Sequence, residues 1–398
     1  MIEDVFRAEY GRCVAILVRV FGDIDVAEDA VQEAFAIAAQ KWPVDGMPPN
    51  PGGWITTTAR NRALDRLRRE SSRDDRQAQA VLLHAEGEPL EEVGAVRDDR
   101  LRMIFTCCHP ALAPSAQVPL TLRLLGGLET EEIARAFLVP EPTMAQRIVR
   151  AKKKIRDAHI PYRVPEAAEL PDRLRPVLSV LYLIYNEGHT ASRGESLVRT
   201  DLCAEAVRLA RLLAQLMPDE PEVMGLLALL LLTDARRPAR VAADGSLVLL
   251  ADQDRSLWDR GLISEGQDLV RACLRRNQPG PYQIQAAIAA VHADALRADD
   301  TDWAQILALY DQLTIVQPSD VVALNRAVVL AEIEGAAAAL SVVDTLDLET
   351  YVPFHVVRAD LLEQLGRGAE AAAAYDRAIE LSTNETERAF LEGQRAGL

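Results

Sequence analysis

Apolar residues recur every three to four positions through most of this chain, and strict alternation is rare, so the pattern predicts helix after helix. Val26, Ala30, Ala34 and Ile37 form one stripe, and its helix should end near Trp42-Pro43. Residues 43–53 (PVDGMPPNPGG) read as a Pro/Gly-rich loop. Trp54 should open a second helix with Ile55, Ala59, Ala63 and Leu67 on one face and Arg60, Arg62, Arg66 and Arg69 on the other. Residues 71–97 are charged, contain Gly and Pro and show little periodicity, which suits a linker with one short helix.

Residues 98–160 read as a compact helical unit. Two short helices flank HPALAPSAQVP, and the second should stop at Gly126-Gly127, where glycine can turn left-handed. Thr130 is the expected N-cap of the next helix, with Glu131 and Glu132 in its first turn complementing the dipole. A turn over 138–141 leads to a helix from about Pro142 to His159. These are the proportions of a helix-turn-helix. Met144, Ile148, Ala151 and Ile155 form the inner stripe of the last helix; Thr143, Gln146, Arg147, Arg150 and Lys154 form the opposite one. Arginine can bind guanine bidentately, glutamine can read adenine, and threonine and lysine can hold phosphates.

The remainder is Ala/Leu-rich helix, broken at Pro218–Pro221, Pro238–Ser246, Pro279–Pro281 and Pro318. Ala359, Leu362, Gly366, Ala371, Tyr375 and Ala378 follow the small/large spacing of a tetratricopeptide unit, and Ala327, Leu330 and Ala339 repeat part of it 32 residues earlier. The expectation is an all-α protein: residues 1–70, a linker at 71–97, a helix-turn-helix unit at 98–160, and a tetratricopeptide-like extension at 165–398. An irregular Ala-rich bundle is the alternative for the last part.

Composition is that of an ordinary globular chain: 398 residues, 49% hydrophobic, 26% charged, net charge −16. Taken whole, that charge argues against a nucleic-acid binder. Resolved along the chain it does not. Residues 1–160 hold 22 basic and 24 acidic side chains; residues 161–398 hold 22 and 36, a net −14. Within the first part, Asp23, Asp25, Glu28, Asp29 and Glu33 cluster on one helix, while the bases gather at 60–69 and 147–156. Two basic clusters on a nearly neutral background fit a bipartite polyanion reader, the plainer reading being two solvated helix faces. Five cysteines in a chain this long are no disulfide framework, no signal peptide is visible, and the longest apolar run, 223–232, is half a membrane span, so a cytoplasmic protein with no membrane contact is expected.

Three segments in order carry a resemblance. AEDAVQEAF (27–35), Trp54-Ile55 followed by ARNRALDRLRR (59–69), and LRLLGGLETEEIARAFLVPEPTMAQRIVRAKKKI (122–155) resemble an RNA polymerase sigma factor of the extracytoplasmic-function group. The resemblance implies that residues 1–70 are region 2, which binds core polymerase and the −10 element. Residues 98–160 would be region 4, which binds the −35 element. It implies core-polymerase contacts by Asp25, Glu28, Asp29, Gln32 and Phe35. It implies −10 contacts by Asn50, Trp54, Thr57, Arg60, Asn61, Arg62, Arg66 and Arg69, with the loop near Met47–Pro51 holding a flipped base. It implies −35 contacts by Thr143, Gln146, Arg147, Arg150, Lys153 and Lys154. The partners implied are the clamp and flap of core RNA polymerase and promoter DNA. YNEGHTAS (185–192) and LLADQDRSLWDRGLI (249–263) resemble signature stretches of the tetratricopeptide-like extension carried by one subgroup, which implies regulation through intramolecular contact with the sigma domains.

No enzyme and no cofactor are expected. Cys107-Cys108-His109 lacks metal-site spacing, Glu187 and His189 have no accompanying nucleophile, Asp252, Asp254 and Asp259 lack the glycine and terminal glutamate of a calcium loop, and there is no phosphate-binding glycine loop. The competing function is a helical-repeat adaptor whose helix-turn-helix binds no DNA; it would need neither the paired basic helices nor the acidic segment.

Overall fold

The computed structural model describes residues 2–70, 99–137, 139–191, 198–242 and 246–398. The expected linker at 71–97 lies outside the described residues. Among those described, the secondary structure is helical, with one isolated bridge between Val241 and Leu247. The chain divides into two compact units, Met1–Leu183 and Ile184–Leu398.

The first unit begins with α1 (Ile2–Phe21), α2 (Ile24–Asp45) and α3 (Pro51–Glu70), mutually packed. Asp23 caps α2, its carboxylate accepting the Asp25 and Val26 amides at 2.8 and 3.0 Å. The helix does not stop at Trp42-Pro43. Pro43 falls in the last turn, where it costs one hydrogen bond, and Gly46 closes the helix by donating to Trp42 O at 3.0 Å. Nor does α3 wait for Trp54. Asn50 accepts the Gly53 amide at 2.9 Å, and Pro51 takes the first helical position, where no donor is needed. The expected eleven-residue loop therefore shrinks to residues 46–50.

α4 (Asp99–Cys107), α5 (Pro114–Leu124), α6 (Thr130–Ala136) and α7 (Glu141–Asp157) follow. α5 starts inside the proline-rich stretch and carries Pro119. Gly127 does adopt the left-handed conformation (φ +73°). Thr130, however, lies inside α6. Glu129 precedes it as the cap: its carbonyl accepts the Ile133 amide at 3.0 Å, and the Glu132 carboxylate takes its own amide at 2.7 Å. Met144, Ile148, Ala151 and Ile155 are all buried, as the stripe predicts, and α7 packs on α5 and α6.

α8 (Leu170–His189) spans the division between the units. The second unit continues with α9 (Thr200–Leu216), α10 (Pro221–Asp234), α11 (Arg260–Arg276), α12 (Pro281–Asp294), α13 (Trp303–Val316), α14 (Asp320–Glu334), α15 (Ala336–Val343), α16 (Val352–Gln364), α17 (Gly368–Leu381) and α18 (Glu385–Gly397). Consecutive helices pack on one another, and each core is shared by neighbours in sequence. Ile288, Ile306, Leu313 and Val329 join α12 to α14; Ala327, Ala339, Phe354, Leu362 and Ala371 join α14 to α17; Ala359, Tyr375, Ala378 and Leu391 join α16 to α18. Alanines at the crossings let helices approach closely; contacts run between consecutive helices and also between α10 and α12 and between α14 and α16. Asp254 and Asp259, weighed above as metal ligands, are helix caps instead: Asp254 accepts the Ser256 amide at 2.9 Å, and Asp259 accepts those of Gly261 and Leu262 at 2.8 and 3.0 Å.

Candidate nucleic-acid and polymerase interface

The six residues expected to read the −35 element, Thr143, Gln146, Arg147, Arg150, Lys153 and Lys154, are all exposed on α7. Among the described residues, none of their side chains is engaged in a hydrogen bond or ion pair. The helix holds them outward because its apolar stripe is committed to α5 and α6.

Two other bases of α7 face the opposite way. Lys152 Nζ lies 2.8 Å from Asp25 and 2.6 Å from Glu28, both on α2, and Arg156 reaches Asp25 at 3.4 Å. Arg123 of α5 pairs with the same Glu28 and with Glu129 at 2.7 Å, and donates to Leu128 O at 3.0 Å. Glu28 is thus a buried carboxylate shared by two cations, its side chain only 6% exposed. Burial opposes ionisation of Asp25, but the hydrogen bonds and charges of Lys152 and then Arg156 outweigh it and hold its carboxyl below the usual value. Burial likewise acts against charge on Lys152, yet Glu28 and Asp25 raise its pKa above the ordinary lysine value.

Packing extends this contact. Gly11 of α1 lies so close to Leu125 that a Cβ there would sit 2.6 Å from the Leu125 carbonyl oxygen. Phe6, Tyr10 and Phe35 form an aromatic cluster with centroids 4.7–6.3 Å apart, and Gly127 rests on Phe6 and Tyr10. The Tyr162 hydroxyl joins both halves, 2.6 Å from Ala15 O and 2.9 Å from Asp99 O, while Arg19 pairs with Asp99 at 2.8 Å. Of the five residues expected to meet core polymerase, Glu28 and Phe35 are therefore buried, and Asp25, Gln32 and Asp29 are engaged: Gln32 with Glu28 at 3.3 Å, Asp29 with Arg66 at 2.9 Å.

The −10 set is mixed. Thr57 and Asn61 are exposed. Arg62 pairs with Glu33 at 3.4 Å, Arg66 with Asp29, and Arg69 donates to Asp65 O at 3.1 Å. Arg60 is half-buried. Asn50 caps α3, and Trp54 packs edge-on against Trp42, centroids 5.5 Å apart. The sequence reading missed Arg123, Lys152 and Arg156 as partners of α2. One signal was present: Arg123 is a lone charge within the apolar run LTLRLL, and a charge at such a position needs a counter-ion.

Cys107 and Cys108 are buried at the end of α4; burial pushes both thiols up, Cys108 to about 12. His189 is a half-buried hydrogen-bond acceptor for Arg240 and is pushed down to about 3 by burial and by Arg240, Arg236 and Arg237. No helix among the described residues is long and apolar enough to cross a membrane.

Comparison with known families places these elements. Residues 5–73 match Sigma-70 region 2 and residues 102–155 match Sigma-70, region 4, so the first unit is of the sigma-70 class. Residues 173–274 match a family of unknown function, DUF6596. The uncharacterized protein R00370 of Rhizobium meliloti (strain 1021) is 45% identical over 390 residues, covering 96% of this chain and 92% of that one. The probable ECF RNA polymerase sigma factor SigI of Mycobacterium tuberculosis (strains CDC 1551 / Oshkosh and ATCC 25618 / H37Rv) is 28% identical over 172 residues, 42% of this chain and 58% of that protein. No solved structure matches. The chain belongs to the extracytoplasmic-function group of the sigma-70 family, in a form with a C-terminal helical extension.

Proposed function

We propose that this sigma factor reads the −35 element through Thr143, Gln146, Arg147, Arg150, Lys153 and Lys154 and the −10 element through α3 and the loop before it, with Asp25, Glu28, Asp29, Gln32 and Phe35 forming the face that docks on the polymerase clamp. The single observation that supports it best is the solvent-facing, unpaired stripe of α7. Six DNA-compatible side chains stand free there, while the neighbouring bases of the same helix are tied up.

The arrangement described is then a closed one. Glu28 and Phe35 meet the clamp only after α7 and α5 leave α2, and Arg62 and Arg66 meet phosphates only after leaving Glu33 and Asp29. The acidic extension modulates this equilibrium through intramolecular contact with the sigma domains; the charge split along the chain, −2 against −14, supports that reading.

Run-off transcription with core polymerase tests the assignment. Arg147→Ala with Arg150→Ala should abolish promoter-specific transcription while polymerase binding stays nearly intact. Unchanged transcription from the cognate promoter overturns the recognition-helix assignment.

A further inference from the structure

A cavity of about 150 Å³ lies in the second unit where α11, α12 and α13 meet. Val270 and Cys273 of α11, Ile284 of α12 and Leu309 of α13 form its wall. The side chains that line it carry no charge, and its polar lining is mainly amide, Gln283 among them. A void of this volume with apolar walls holds a molecule about the size of one benzene ring.

The chain fixes the cavity's shape without an occupant. Glu222 of α10 accepts the backbone amides of Tyr282 and Gln283, both at 3.2 Å, in the first turn of α12. Arg276, at the end of α11, donates to Pro218 O at 2.9 Å and to Asp219 O at 2.6 Å. Both ends of segment 277–280, three residues of which line the cavity, are thereby tied to α10 and the turn before it. A site formed in advance loses little free energy to ordering when it binds.

Gln283 gives the cavity a directional group. It is only 8% exposed. Its Nε2 donates to Glu222 Oε1 at 3.0 Å and to Gln278 O at 2.8 Å. Both partners are acceptors, so the amide fits only with its NH₂ end toward them, and Oε1 is the remaining end. Among the described residues, Oε1 accepts no hydrogen bond. A carbonyl oxygen taken out of water without a donor costs stability, and a donor on a ligand removes that cost.

We propose that this cavity binds a small neutral molecule, about the size of a phenol, through its apolar body and one O–H or N–H donated to Gln283 Oε1. A charged ligand does not fit the lining, because it would give up hydration with no counter-charge in exchange. The site stands independently of the promoter reading.

Calorimetry on the full-length protein tests it, with phenol as probe, toluene as the match without a donor and benzoate as the charged match. Phenol should bind with a Kd of about 1 mM or tighter. Toluene should bind about tenfold more weakly, and benzoate more weakly still. Ala287→Leu extends a half-buried side chain of the lining and leaves the bonds of Glu222 and Gln283 in place. It should weaken phenol about tenfold or more by occupying the space. Gln283→Met keeps the length of the side chain and removes the acceptor, so phenol and toluene should bind it equally. Absence of phenol binding to the parent at about 10 mM, or undiminished binding to a folded Ala287→Leu variant, overturns the site. Equal affinity of the parent for phenol and toluene overturns the role of Gln283 and the proposal with it. That comparison is made on the parent alone, so it decides the matter even where a variant fails to fold.

Discussion

Lys152 of α7 and Glu28 of α2 are 2.6 Å apart, an ion pair that ties a region 4 helix to a region 2 helix 124 residues away in sequence. Arg123 binds the same carboxylate from α5, so the two partners of the pair are not equivalent. Glu28→Gln leaves two cations without their shared anion, and should cost the first unit about 3 kcal/mol. Lys152→Ala leaves Glu28 with Arg123, and should cost about 1–2 kcal/mol. Denaturant unfolding of the two variants reads the difference; equal losses would show that Arg123 does not share Glu28.

The same network fixes a pH response. Asp25 has its folded pKa lowered, so its contribution is present above the ordinary carboxylate value of 3.8 and is lost as pH falls through the lower folded value. Lys152 has its folded pKa raised, so its contribution is present below 10.5 and is lost as pH rises through the higher folded value. Between those limits, contact between regions 2 and 4 should be flat with pH with respect to these two groups. A fluorescent donor–acceptor pair on α2 and α7 should show constant proximity from pH 5 to about 9. A transition near neutrality would mean that another group controls the contact.

Gly11→Ala places a methyl against the Leu125 carbonyl, which is backbone and can yield only by separating α1 from the end of α5. The expected loss is about 1–3 kcal/mol. Gly393→Ala in α18 meets nothing within 4 Å and should gain about 0.5–1 kcal/mol from helix propensity. Opposite signs of Tm shift, each on its own unit's transition, check the pair.

Removing residues 190–398 spares α8, whose Arg173 donates to Phe105 O at 3.0 Å within the first unit. If the extension modulates initiation, run-off transcription by the truncated form should differ at least severalfold from that of the full chain. Equal activity at equal polymerase occupancy rules out a regulatory role.

Local patterns were legible in the chain. The inner stripe of α7 and the small/large spacing of α16 and α17 read correctly because helical period and burial are encoded within a few turns. Boundaries set by a single side chain were not: Asn50 capping α3 three residues early, and Glu129 rather than Thr130 before α6, depend on backbone geometry that composition does not show. Least legible was the use of the acids on α2. Asp25 and Glu28 look like an interface in sequence, but their cations lie 95 to 131 residues away. Nothing periodic connects such positions.

On α7, the outward stripe and the inward pair of bases occupy different sides of one cylinder. Lys152 and Arg156 are answerable to α2; Arg147, Arg150, Lys153 and Lys154 are answerable to no other described part of the protein. Substitution on the outward side is thus uncoupled from the ion pairs on the inward side. If that outward side reads the promoter as proposed, descendants of this chain can acquire new promoter preferences one residue at a time, without first having to rebuild the contact that holds regions 2 and 4 together.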